Sequence, residues 1–178
     1  MRGFITVCFS DWTKETFDNG IMRIIRGKRS DVPIRRPIRS DEVEGIDYYR
    51  KPDPDFLNFT YSRCHKKLRQ QLQENDVLFF RTLWRGRQYL IGYFTIKEKR
   101  GDPQNPICIA EPSKSLLINF NLEITPELVK KLNPRARFNK SRHLNMWINE
   151  WLGRNYLKLP PEATNYLMEL IKNKSHLK

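Results

Sequence analysis

Apolar residues recur along this chain in two rhythms, one of strands and one of helices. Val77, Leu78, Phe79 and Phe80 run without a polar break, and Tyr89 to Ile96 run almost continuously apolar. Short apolar runs bounded by turn residues read as strands covered on both faces. Between them Arg85-Gly86 can supply the positive φ of a tight reversal. Residues 75–96 therefore predict a buried hairpin, entered through Asn75-Asp76, with Gly92 where a neighbouring backbone comes close. Phe4 to Phe9 reads as a first strand that ends at Ser10-Asp11. Further strands are expected at Ile107 to Ala110 and Leu116 to Phe120.

Elsewhere the spacing is helical. Leu144, Trp147, Ile148, Trp151 and Leu152 fall on one face, with Gly153 as a C-terminal stop. After Pro160-Pro161 the same spacing carries Ala163, Tyr166, Leu167, Leu170 and Ile171, and lysines near the end suit the helix dipole. Ser62 to Glu74 predicts a helix with Leu68 and Leu72 inward and Arg63, Lys66, Lys67 and Arg69 outward. Thr125-Pro126 marks the N-cap and first position of a short helix ending near Asn133-Pro134. Trp12 to Asn19 can form another, capped by Ser10 or Asp11 and stopped by Gly20.

The stretch from about 20 to 60 breaks both rhythms. Arg23, Arg26, Lys28, Arg29, Arg35, Arg36 and Arg39 face only Asp31 in acid, with Pro33 and Pro37 between them. Asp41, Glu42 and Glu44 follow, then Tyr48-Tyr49-Arg50-Lys51-Pro52-Asp53-Pro54. An irregular segment of this length is functional or mobile. The order of strand, arm, helix, several strands and terminal helices predicts a single α+β domain over residues 1–178, a small curved sheet or barrel with helices packed outside.

Charge narrows the partners. The 33 Lys and Arg against 20 Asp and Glu give +13 at pH 7, and a sequence pI near 9.9 makes a polyanion the first candidate, with nucleic acid favoured over membrane. Apolar runs fall short of the roughly 20 residues that span a bilayer, and Asp11 interrupts any signal-peptide core, so a cytoplasmic protein is expected. Cys8, Cys64 and Cys108 are scattered and odd in number, which suits a reducing compartment. Without a C-x-x-C or H-x-x-x-H pair no metal or other cofactor is expected. Cys64-His65 reads as a surface dipeptide rather than a nucleophile and its base, because adjacent residues point in different directions.

The strings FITVCFS, NDVLFFRTLWRGRQYLIGYFTI, FNKSRHLNMWI and LPPEATNYLMELI together resemble the PUA-like superfamily, especially its EVE and YTH branches. That pattern covers most of the chain, with the arm at 20–60 as the departure. The chain is also similar to the nucleotide-modification-associated domains through Asp53-Pro54-Asp55-Phe56, Thr60-Tyr61, Asn75 to Phe80 and Ile91-Gly92-Tyr93-Phe94. Asn75 stands there for the usual glycine, and Arg81 begins a different turn. Similar domains form the N-terminal DNA-reading part of modification-dependent restriction GTPases, although no G-x-x-x-x-G-K-[ST] is present here.

What the resemblance implies is a reader of DNA, less readily of RNA, that recognises a flipped and methylated base, alone or within a larger restriction or modification assembly. The base would enter a pocket beside the first strand. Ser10, Asp11, Trp12, Tyr48, Tyr49 and Trp84 are the pocket candidates, since unstacking a base is repaid by flat aromatic faces and hydrogen bonds to its edge. Each aromatic has a plainer reading: Trp12 as packing for a helix start, the tyrosines as pins for their own loop, Trp84 as core. Arg23, Arg26, Arg29, Arg35, Arg36, Arg81, Arg85, Arg87, Lys140, Ser141 and Arg142 are the phosphate candidates. Ser141 could instead only cap a helix, and the arm could be merely solvated. Trp147 and Trp151 are assigned to the core. Two rival classes remain: a nucleotide-modifying enzyme, with Asp53, Asp55 and Asp76 as its nearest acids, and an RNA-binding module indifferent to modification.

Overall fold

The central hairpin forms from β5 (Val77–Trp84) and β6 (Arg87–Arg100), paired antiparallel from Val77↔Thr95 to Trp84↔Arg87. Gly86 turns it at φ 79°. The computed structural model describes residues 1–8, 21–23, 29–33, 54, 58–62, 64–84, 86–138 and 143–175, with backbone alone at 21–23, 29–33, 84 and 119–121. Around the hairpin lie β1 (Gly3–Val7), β4 (Thr60–Tyr61), β7 (Ile107–Ala110), β8 (Leu116–Glu123) and β9 (Tyr156–Leu159). Their order is β4-β7-β6-β5-β1-β9, and β8 also pairs with β6. The strand β1 runs parallel to β5 and the other pairings are antiparallel. Separately, β2 (Ile21–Arg23) and β3 (Arg29–Pro33) pair with each other. The helices are α1 (Lys66–Gln71), α2 (Pro126–Leu132), α3 (Leu144–Trp151) and α4 (Pro161–Ser175). The molecule is thus α+β, as its periodicities predict.

Apolar runs on β5 and β6 are explained by two cores, one on each face of the sheet. Val77, Phe79, Leu90 and Tyr93 join Leu128 and Val129 of α2, Trp147 and Ile148 of α3, and Leu167 and Ile171 of α4. Leu78, Phe80, Ile91, Phe94 and Ile96 face the other way, onto Leu68 and Leu72 of α1 and its surroundings. Strand residues alternate between faces, yet Leu90 and Tyr93 share one. The ladder slips between Leu90 and Gly92, and this bulge resets the alternation. A Cβ on Gly92 would overlap the Leu116 carbonyl oxygen, so the glycine marks the close approach expected of it.

The helices follow their caps. Thr125 Oγ1 accepts from Leu128 N at 3.3 Å, and Pro126 occupies the first turn of α2. Gly153, at φ 76°, lies just beyond α3. Trp147 is buried and Trp151 packs against the same core.

Three expectations need correction. The helix expected over 62–74 shortens to α1, because His65 takes a left-handed conformation before it and Leu72 is extended after it. Arg69, expected outward, is buried: its guanidinium donates to the carbonyls of Cys64 and Pro106 and to Asn105 Oδ1. Backbone carbonyls of the neighbouring loop give this cation the partners it needs away from water. Strand β9 completes one edge of the sheet by pairing with β1, and no sequence element was expected there.

Candidate functional site

Beyond the end of β1 the hairpin continues, with Tyr89 and Leu90 of β6 also paired to Glu123 and Leu122 of β8. The parallel register closes at Val7↔Arg81, Cys8 N donates to Arg81 O at 2.8 Å, and Thr82, Leu83 and Trp84 carry β5 about 10 Å further. The start of α3 is fastened to this ribbon. Asn145 Nδ2 donates to Gly86 O at 2.6 Å, and Gln88 Nε2 to Asn149 Oδ1 at 3.2 Å. His143 caps the helix by accepting from Asn145 N at 3.3 Å, and Trp147 Nε1 donates to Arg137 O at 2.7 Å. The hairpin turn and the first turn of α3, far apart in sequence, therefore meet.

Arg81 holds this junction together from the inside, and its expected role as a surface phosphate contact is corrected. The residue is 1% exposed. Its guanidinium donates to Gln88 Oε1, to Asn149 Oδ1 at 2.9 Å and to Gly153 O. Burial pushes its pKa down to about 10, with Cys8 acting in the opposite direction, so the side chain is still a cation at neutral pH. Two buried polar atoms of the junction, Arg81 Nε and Asn145 Oδ1, have no hydrogen-bond partner among the described residues.

On the α1 side of the same strand end His65 and Tyr156 come together. His65 Nε2 lies 3.3 Å from Val7 O, and its ring meets that of Tyr156 at 6.2 Å between centroids. Tyr156 in turn accepts from Gln71 Nε2 at 3.3 Å. Both rings are partly exposed. Tyr156 escaped notice because the four residues of β9 are too few to show a period. His65 reads in sequence only as half of a surface dipeptide with Cys64, because its ring partner lies on a distant strand.

The remaining candidates divide by what is described. Ser10, Asp11, Trp12, Tyr48, Tyr49, Arg26, Arg35, Arg36, Arg85, Lys140, Ser141 and Arg142 lie outside the described residues, as do Asp53 and Asp55. Arg23 and Arg29 face each other in the register of β2 and β3. Trp84 closes the hairpin opposite Arg87. Arg87 is well exposed and pairs with Glu123 at 3.0 Å, a contact that water leaves weak. Asp76 is buried at the opposite end of β5, where it accepts from Arg2 Nε at 2.9 Å and Gln73 N at 2.7 Å. That acid is occupied structurally.

Among the described residues, ion pairs join Arg2 to Asp76, Arg87 to Glu123, Lys97 to Glu111 and Arg100 to Glu98. No group of His, Cys, Asp and Glu among the described residues could hold a metal ion, and no described helix is long and apolar enough to cross a membrane. No family model matches the chain, and no curated protein matches it either.

Proposed function

We propose that this chain is a nucleic-acid-binding module on a PUA-like scaffold that takes a flipped, methylated base of DNA at the end of β1 and leaves it chemically unchanged. The observation that carries the reading is the hydrogen bond from Asn145 to the Gly86 carbonyl. It ties the first turn of α3 to the turn of the arginine-bearing hairpin, whose strand β5 pairs with β1. Phosphate contacts on both sides of a strand end are what an extruded nucleotide requires, since its own backbone must be held while the base is withdrawn from the stack. The net charge of +13 favours the same class of partner.

The test is a titration of matched oligonucleotides, single- and double-stranded, as DNA and RNA, carrying adenine, N6-methyladenine, cytosine, N4-methylcytosine or 5-methylcytosine at one position. A reader binds one modified DNA at least about tenfold more tightly than its plain counterpart and returns it unaltered. Conversion of the base would identify an enzyme, and equal affinity across the panel a general binder. Either result overturns the proposal.

A further inference from the structure

We infer that Arg135, Arg137 and Phe138 form a second nucleic-acid contact beside α3, in which the Phe138 ring stacks on an unpaired base and the two guanidinium groups take phosphates of the same strand. The inference rests on the nucleic-acid partner proposed above and adds the form of strand that this surface takes. It does not depend on which base is read or on whether that base is methylated.

Residues 133–138 lie outside helix and strand, yet they are firmly held. Asn133 Nδ2 donates to Trp151 O at 3.1 Å, Ala136 N to Asn133 O at 2.9 Å, and Trp147 Nε1 to Arg137 O at 2.7 Å. Ala136 is buried in the helical core, while Arg135 and Arg137 on either side of it are exposed. Phe138 meets Trp147 at 5.0 Å between centroids and 89° between planes. A perpendicular contact uses the edge of one ring against the face of the other. Trp147 therefore fixes the Phe138 ring but leaves at least one of its faces uncovered, and the residue is 38% exposed.

Charge decides what lies over such a face. Neither arginine belongs to an ion pair among the described residues. A second copy of the chain would set +13 against +13, so the surface favours a polyanion over self-association. A rigid aromatic face set among arginines is what a single strand binds, because every base has a π-face and every nucleotide a phosphate. Bases inside a duplex are stacked on both sides and have no free face for Phe138. The strand is therefore unpaired where it crosses this surface.

The experiment titrates wild type, Phe138→Leu and a variant combining Arg135→Gln with Arg137→Gln against single-stranded oligothymidylate, and against the same strand paired with oligoadenylate, across a range of salt. Leucine keeps apolar contact with Trp147 and removes the flat face. Phe138→Leu is expected to lose about tenfold or more in affinity for the single strand, with its salt slope unchanged and little effect on the duplex. The arginine variant is expected to flatten the slope of log K against log salt by about 1.4, two phosphates at about 0.7 each. Phe138→Leu that binds the single strand as wild type does, or an arginine variant with the wild-type slope, overturns the inference and leaves the surface to an acidic protein. Should Phe138→Leu fail to fold, wild type decides the matter: 5-iodouracil placed at each position of the single strand in turn and irradiated is expected to cross-link to Phe138, as located by mass spectrometry. Cross-links confined to other residues overturn the inference. Wild type that binds only duplexes overturns it and leaves the reader function standing, whereas wild type that binds no strand of the modified-base panel overturns both.

Discussion

Arg81 shows how a charged residue can be drawn inward when the fold supplies enough oxygen atoms. Three acceptors surround it, from Gln88, Asn149 and Gly153, and together they offset the loss of water that lowers its pKa. Substituting methionine fills the space but removes the donor to Gln88 Oε1 and Gly153 O, while Asn149 Oδ1 keeps Gln88 Nε2. Arg81→Met is therefore expected to lose about 2–4 kcal/mol of stability, read from urea unfolding. Because the side chain is buried, its charge does not reach a phosphate. Arg81→Met should accordingly leave the dependence of DNA binding on salt unchanged, whereas loss of a true phosphate contact would lower the slope of log K against log salt by about 1.

At the scale of elements, α2 illustrates how a short helix is specified locally. Thr125 caps it through Leu128 N, and Thr125→Ala is expected to cost about 1 kcal/mol. Glu127 in the same turn is held below the usual carboxylate range, first by its own backbone N–H, then by the Thr125 hydroxyl and the charge of Lys130. A carboxyl whose pKa is depressed on folding stabilises the native state above its unfolded pKa of about 4.3 and ceases to do so as pH falls through the folded value. The stability difference between wild type and Glu127→Gln should therefore close as pH drops below about 4, measured by thermal unfolding across pH.

Such elements were legible because cap, proline and apolar spacing agree over seven or more residues. The four residues of β9 offer no period, and its pairing with β1 is decided by parts of the chain about 150 positions apart. Arg69 and Arg81 were misread for another reason: pattern assigns charge to the surface, and the carbonyl and amide oxygens that hold these two side chains come from distant loops and helices. For the site, the basic hairpin tip could be seen in sequence, while its attachment to Asn145 and the neighbouring His65–Tyr156 pair exist only after folding.

For the whole molecule, the decisive feature is that β5 and β6 send alternate side chains into both cores. Neither core can be lost without releasing the strands that form the other, so unfolding is expected as one transition. Gly92→Ala, at the bulge of β6, tests this. Its φ of 144° is costly for alanine, and the added methyl overlaps the backbone of β8, so a loss of more than about 2 kcal/mol is expected. Tryptophan fluorescence, which includes Trp147 and Trp151 on the helical face, and far-UV circular dichroism should nevertheless report the same midpoint in this variant, whereas independent faces would give two.

The same unity governs the charge. With Arg87 tied to Glu123 on the ribbon that carries the hairpin tip, part of the positive field at the candidate site is neutralised by the protein itself. An exposed pair of this kind contributes little to folding, roughly 0–1 kcal/mol, so breaking it should barely move the unfolding midpoint. Its effect on a polyanion is of a different order, because each cation released to a phosphate displaces a counterion. Glu123→Gln should thus tighten DNA binding at low salt and steepen its salt dependence by at most about 1 in slope, while Arg87→Ala weakens binding and flattens it by about the same amount. If both variants keep the wild-type slope, the ribbon does not lie against the nucleic acid backbone.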